Sequence, residues 1–392
     1  MAEPLPDAQR RRVYLDWNAT TPPHADVLAA MAATAAVVWG NPASVHREGQ
    51  RARHEVEAAR EAVARLVVRD PVDVTLTSGG TEANNLALAQ PFLGEAGVAV
   101  GSLVLSRIEH PSVVKAAETL ARRGVDVRFV EVGTDGRVDP NAVEAVMAGC
   151  EKLAMVSLQA VNHETGVIQS VEQLAPAVAA RGAHLHVDAV QAVGKVAAEA
   201  WRAADWITVA SHKIRGPKGV GAVIGRPGLK LQPLLRGGEQ EKGARPGTQD
   251  PVAAAGFAVA ADRAKTGPAR YRGLAQLRDD LERRLTKLAA DAGLKVGRNG
   301  TASRVPHVSN LSWEGWRGDE LCAALDLEGV AVSSGSACSA GSSEPSKIIT
   351  AMLGPERARG AVRISLGEDT VSEDVDRAVA AFQRVFSRLE SA

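Results

Sequence analysis

Three cysteines in 392 residues, Cys150, Cys322 and Cys338, are too few for a disulfide framework and point to a reducing compartment. An excess of one charge is missing too. Lys plus Arg and Asp plus Glu stand at 46 each, so neither nucleic acid nor a membrane surface is indicated as a partner. The opening MAEPLPDAQRRRV has acidic residues and prolines but no apolar run, unlike a secretory signal, and no apolar stretch has the length of a bilayer span. Repeats at solenoid periods are absent. What is present is an ordinary globular composition, 45% hydrophobic and 23% charged, in a chain long enough for a substantial core and two domains. A cytoplasmic protein is expected.

Short β-rich runs alternate with Ala-rich helical patterns through roughly the first 250 residues, which predicts an α/β fold with a mainly parallel sheet. Strands are expected at Val72–Thr77, Ser102–Ser106, Val125–Val130, Leu153–Leu158, His184–Val187, Trp206–Ala210 and Gly221–Ile224. Helices fit between them, for example at Gly49–Val67, Pro111–Arg123 and Val171–Ala180. Long helices over Pro251–Ala264 and Tyr271–Ala292 lead into a smaller C-terminal domain with strands at Val308–Ser312 and Ala361–Ser365.

One segment breaks the pattern. Ser333–Ser346 reads SSGSACSAGSSEPS, too rich in serine and glycine to pack a core and therefore expected to be mobile. A thiol kept for packing would sit among apolar neighbours, whereas Cys338 lies in a run dominated by serine and glycine. Cys322, in GDELCAALDLEG, does have them and reads as core, whereas Cys150 ends a helical stretch and carries no catalytic argument.

Three stretches of the first domain carry chemistry. In TLTSGGTEANNLALA a strand runs into Ser78-Gly79-Gly80-Thr81 and a helix follows at once, an arrangement suited to a phosphate. The stretch matches neither the P-loop lysine pattern nor G-x-G-x-x-G, so a nucleotide is not indicated. In HVDAVQAVGK, Asp188 ends a buried strand, where a carboxylate must be satisfied; it could pair with a protonated ring nitrogen or simply cap a helix. His184 and His186 share a strand face, but with no Cys or carboxylate cluster nearby no metal is expected. In ASHKIRGPKGVGAVI, Lys213 directly follows a strand at the same sheet edge and suits a Schiff base; Lys218, deeper in the glycine-rich turn, is its rival. Phosphate cradle, ring-nitrogen carboxylate and Schiff-base lysine together describe a site for pyridoxal 5'-phosphate.

With those motifs in view, the chain resembles the cysteine desulfurases of the NifS/IscS type, in the fold-type I, class V aminotransferase-like group of pyridoxal-phosphate enzymes. The resemblance runs from Tyr14 (YLDWNATTPP) to Gly367 (VRISLG) and includes GNPASVH, SGGTEANN, EHPSV, HVDAVQAVGK, SHKIRGPKG, RPGTQD and SSGSAC. It implies a large cofactor-binding domain over 16–255, with 1–15 and 256–392 forming a small α+β domain that carries the catalytic-cysteine loop, 333–346. It implies that Lys213 holds the cofactor and shuttles protons, that His110 lies over the pyridine ring and assists, and that Asp188 keeps the ring nitrogen protonated. Gln191 would contact the phenolic oxygen, and Gly80, Thr81, Ala210, Ser211 and His212 would surround the phosphate. Thr248 would reach the phosphate of the neighbouring subunit, which implies a homodimer with shared active sites. Arg363 would clamp the carboxylate of L-cysteine, a bidentate task that suits guanidinium, with help from Asn41. Cys338 would take the substrate's sulfur as a persulfide and pass it to an acceptor protein, an iron–sulfur scaffold or a thiolation enzyme, leaving alanine.

Two positions depart from the pattern. His163 stands in Asn162-His163-Glu164 where these enzymes usually carry a second asparagine on the phenolic oxygen; imidazole can donate the same hydrogen bond but titrates near neutrality. Ala210 stands where a serine is frequent, so only its backbone could serve the phosphate. A selenocysteine lyase or an aminotransferase on the same fold would share most of these residues, although an aminotransferase would not need Cys338. A non-catalytic scaffold would not be expected to keep Lys213, Asp188 and Cys338 together.

Overall fold

A computed structural model describes residues 12–93, 101–335 and 344–388. Its centre is a seven-stranded sheet. The strands in chain order are β1 (Val74–Thr77), β2 (Ser102–Ser106), β3 (Asp126–Val130), β4 (Leu153–Gln159), β5 (His184–Asp188), β6 (Trp206–Ala210) and β7 (Gly221–Gly225). Their order across the sheet is β1-β7-β6-β5-β4-β2-β3, with β7 alone running against the rest. Strands β2, β6 and β7 are buried along their whole length, as a sheet covered by helices on both faces requires. The predicted strands are all present, with small differences at their ends.

A second apolar core lies apart from the sheet. It gathers Val13 and Leu15 with Tyr271, Leu281, Leu285, Trp313, Ile364 and Phe382, around a four-stranded sheet that includes Val308–Trp313 and Ala361–Ser365. The helix expected over Tyr271–Ala292 is divided into Gly267–Arg272 and Leu274–Asp291. Gly273 is the reason: its N–H turns to the Arg270 carbonyl three residues back, tightening the turn where a poor helix former sits. Among the described residues no helix is long and apolar enough to cross a membrane.

The parallel arrangement places functional residues before any chemistry is considered. The C-terminal ends of β1, β2, β4, β5 and β6 open on one edge, and the segments leaving them begin at Ser78, Arg107, Ala160, Ala189 and Ser211. In open α/β sheets that edge is where ligands lie.

Candidate active site

A cavity of about 330 Å³ opens at that edge, lined by Gly80 and Thr81 after β1, His110 after β2, His163 after β4, Asp188 and Gln191 from β5 onward, and Ala210, His212 and Lys213 from β6 onward. Asn18, Asn84, Ser112 and Arg363 line it as well. A larger groove of about 1000 Å³ lies elsewhere, along Trp316, Arg317 and Arg357. Among the described residues it contains none of the sequence-predicted site residues, although Ser334, Gly335 and Glu344 from the ends of the 333–346 segment line it. The smaller cavity, where the predicted residues gather, is the relevant one.

At the β1 end, the helix Gly80–Ala89 starts without a side-chain cap, leaving its first N–H groups open to a ligand. Gly79, which precedes it, has φ 151°, a conformation open to glycine but rarely adopted by other residues. A Cβ on Gly80 would lie 3.1 Å from Val190 Cγ2 and 3.5 Å from Ala210 Cβ, so a side chain there would narrow the cradle. Glu82 accepts from the Ser78 N–H at 2.6 Å and pairs with Arg245, which fixes the turn.

Asp188 makes a local cap and also faces the cavity. Oδ1 accepts from the Val190 N–H at 3.0 Å, a local cap, while Oδ2 accepts from Asn84 Nδ2 at 2.8 Å and the residue lines the cavity. Lys213 Nζ donates to the carbonyls of Asn18 (2.6 Å) and Ala19 (2.8 Å), which hold it in place. The rival Lys218 is exposed on its turn and does not line the cavity. Gln191 also donates to the Asn18 carbonyl, at 2.8 Å, and accepts at 2.6 Å from Lys195 Nζ behind it. Burial, with Lys213 and Arg363 adding to it, lowers the Lys195 pKa well below the ordinary lysine value.

His163 is buried and makes an edge contact with His110, with ring centroids 5.1 Å apart. Burial, then the charges of His110, Arg363 and Lys213, lowers its pKa well below the usual value, so the expected titration near neutrality is replaced by a neutral ring. His212 is held neutral too, at about 4, chiefly by burial. His186 turns away from any metal role: its two ring nitrogens meet Ser157 Oγ and Thr208 Oγ1. Among the described residues no group of three or more His, Cys, Asp or Glu is placed to hold a metal ion.

Arg363 arrives from the second core, anchored by Asp16 Oδ1 at 2.5 Å and the His163 carbonyl at 3.1 Å. Not every predicted residue converges here. Ser211 is buried just beneath the cavity rather than on its wall. Asn41 is exposed and turns its side chain back onto the Ala43 N–H, and Thr248 is exposed; neither lines this cavity. Cys338 lies outside the described residues. Conversely Asn18, Asn84 and Ser112 sit inside motifs noted for other members, and only the folded geometry reveals them.

The group implied by the motifs fits what is here. Several buried polar atoms around the cavity find no partner among the described residues: Ser211 Oγ, Asn84 Oδ1, His163 Nδ1 and Arg363 Nε. With an uncapped helix start at one end, a carboxylate in the middle and an amine opposite, they suit a flat, phosphorylated, ring-nitrogen ligand.

Glu109, beside His110, gives a pH test. Its Oε1 accepts from Ser106 Oγ (2.5 Å) and the Gln159 N–H (3.1 Å), Oε2 has no partner among the described residues, and burial pushes its pKa from about 4.5 up to about 8. Between those values the folded state keeps a proton that the unfolded chain has lost, so the group's contribution to stability declines as pH rises. Glu109→Gln should flatten that decline. Melting curves at pH 5.5 and 8.5 should show a smaller drop in Tm for the variant than for wild type, and parallel drops would refute the assignment.

The model of the aminotransferase class-V family matches residues 13–378. The cysteine desulfurase IscS of Dictyoglomus turgidum is 33% identical over 391 residues, covering 97% of this chain and 96% of its own. A cysteine desulfurase of Cereibacter sphaeroides is 36% identical and covers 97% of both chains. Among solved structures, a NifS-like protein superposes with a TM-score of 0.84 at 30% identity, over 96% of this chain and 99% of its own.

Proposed function

The chain belongs to the aminotransferase class-V family and within it is a cysteine desulfurase that uses pyridoxal 5'-phosphate; from that premise we propose how its residues divide the work. The observation that carries the assignment is the convergence of Lys213, Asp188 and the open helix start at Gly80 on one cavity.

The cofactor, when bound, supplies an electron sink that labilises bonds around the substrate's α-carbon. Gly80 and Thr81, at the uncapped helix start, would hold its phosphate through backbone N–H groups, with Ala210, Ser211 and His212 beside them. Asp188 would accept from the protonated ring nitrogen, Gln191 and His163 would serve the phenolic oxygen, and His110 would lie beside the ring. Lys213, its Nζ held by the Asn18 and Ala19 carbonyls, would anchor the cofactor through its amine and would carry protons. Arg363, held by Asp16, turns guanidinium hydrogens to the carboxylate of L-cysteine. The Cys338 thiolate then attacks the substrate's sulfur: the carbon–sulfur bond breaks as a sulfur–sulfur bond forms, and the carbon fragment takes up a proton and leaves as alanine.

The division into a cofactor-bearing part, 16–255, and a smaller part, 1–15 with 256–392, belongs to the same reading and is supported by the separate second core. A homodimer with shared sites belongs to it too. Val37, Trp39 and Val45 are 62%, 77% and 84% exposed beside Asn41, more apolar surface in one short stretch than a monomer usually leaves uncovered. Asn41 and Thr248, which lie off this chain's own cavity, would serve the partner's. The sulfur goes on to an acceptor protein of iron–sulfur assembly or thiolation, in a cytoplasm that keeps thiols reduced.

The test is product analysis. Purified protein given cofactor, L-cysteine and a thiol reductant should release alanine and sulfide in equal amounts. A keto acid in place of alanine, with no sulfide, would overturn the reading in favour of transamination.

A further inference from the structure

Ser112 occupies the second position of the helix Pro111–Arg122, next to the imidazole that caps it. Its backbone N–H donates to His110 Nδ1 at 3.1 Å. A backbone N–H cannot accept, so that ring nitrogen is the acceptor and carries no proton. The Ser112 hydroxyl lies 2.7 Å from the same nitrogen and must therefore donate to it. Its oxygen is engaged in turn: Asn84 Nδ2 donates one hydrogen to Ser112 Oγ and the other to Asp188 Oδ2, each at 2.8 Å. The carboxylate fixes which end of the Asn84 amide is nitrogen, because an amide oxygen turned toward Asp188 would face another acceptor. Two groups that cannot reverse, a carboxylate and a backbone N–H, thus set the sense of the whole chain from Asp188 through Asn84 and Ser112 to His110. Asn84 and Ser112 are both buried, so bulk water does not compete with it.

We propose that Ser112 is a positioning residue that holds His110 as the Nε2–H tautomer, so that the ring meets the cavity as a hydrogen-bond donor and not as a base. Burial, the largest influence on His110, disfavours its charged form and is consistent with a neutral ring. The proton carrier in the cavity is then Lys213 Nζ, and His110 assists by donating from Nε2. The proposal rests on the cofactor reading above, which makes Asp188 the ring-nitrogen partner, and it ties that carboxylate to the imidazole on the same cavity.

A packing role and this role rank the variants of Ser112 oppositely. Alanine fits the space of serine but lacks the hydroxyl, whereas threonine keeps the hydroxyl and adds a methyl group. Magic-angle-spinning nitrogen spectra of histidine-labelled holoenzyme, with His110 assigned by its loss in His110→Gln, read the tautomer directly. Wild type should show an unprotonated Nδ1 and a protonated Nε2, and Ser112→Thr the wild-type pattern. Ser112→Ala keeps the 3.1 Å backbone N–H but loses the shorter 2.7 Å hydroxyl bond that secures the tautomer, so it should show a mixture. Loss of the hydrogen bond should lower kcat about tenfold in Ser112→Ala, with KM changed by no more than about twofold, and Ser112→Thr should restore kcat. A protonated Nδ1 in wild type overturns the proposal without any variant having to fold. An alanine variant with wild-type spectrum and rate overturns it too, as does a threonine variant slower than the alanine one. Uptake of the cofactor, followed by absorbance, separates the two levels: wild type that binds none refutes the cofactor reading, while its His110 tautomer still decides this one.

Discussion

Lys213→Ala should lower desulfurase turnover by about 10⁴-fold or more, because it removes both the covalent anchor of the cofactor and the amine that moves protons. No neighbour can take its place. Lys195 is the other amine near the cavity, but it lies behind Gln191 and donates to that side chain's oxygen at 2.6 Å. Lys218 is exposed on its turn. An arginine at 213 would keep the charge but offers no amine able to bond to a carbonyl carbon, so Lys213→Arg should fail as completely. Borohydride reduction followed by mass spectrometry makes the test independent of turnover: wild type and Lys218→Ala should each retain one covalently fixed cofactor on Lys213, and Lys213→Ala none. Cofactor fixed to another lysine in Lys213→Ala, with turnover preserved, would displace Lys213 from its role.

The positions of the strands along the chain and many of the residues now found on the cavity were legible before folding, because a buried parallel sheet writes itself as short apolar runs and its C-terminal edge then determines where the next residues fall; the order of strands across the sheet was not. Gly80, His110, Asp188 and Lys213 each follow or end a strand, so one rule places all four. Residues that reach the cavity otherwise were harder to assign. Asn18 contributes a main-chain carbonyl, which any residue possesses, and it serves Lys213 and Gln191 together. Ser112 and Asn84 act through hydrogen bonds whose sense depends on neighbours 28 and 104 residues away in sequence. The helix break at Gly273 is a local effect of a poor helix former that apolar periodicity passes over, whereas the neutral state of His163 follows from burial that composition does not reveal. Asn41 falls outside the cavity of its own chain, which its motif does not state, whereas for Thr248 the resemblance had already implied a place away from it.

Cys338→Ser should leave cofactor binding and substrate recognition in place and lower sulfide release about 10³-fold or more, since a hydroxyl is a far weaker nucleophile than a thiolate. The other two cysteines show why the loss should not be masked. Cys322 is packed against the second core, and burial, with Asp16 adding to it, pushes its thiol up to about 12, so it carries almost no thiolate at neutral pH. Cys150 is buried in the first core, its Sγ donating to the Val146 carbonyl at 3.5 Å. Neither lines the cavity. A single-turnover experiment with L-cysteine, stopped by alkylation and read by mass spectrometry, should find one added sulfur on Cys338 in wild type and none on Cys150 or Cys322. In Cys338→Ser the absorbance change on adding L-cysteine should persist, because Lys213, Asp188 and Arg363 are untouched, while alanine and sulfide fall together. That split is the decisive feature: a serine variant that binds substrate and cannot release sulfur separates the thiol's task from the cofactor's. A variant turning over at the wild-type rate would mean that sulfur leaves without passing through Cys338.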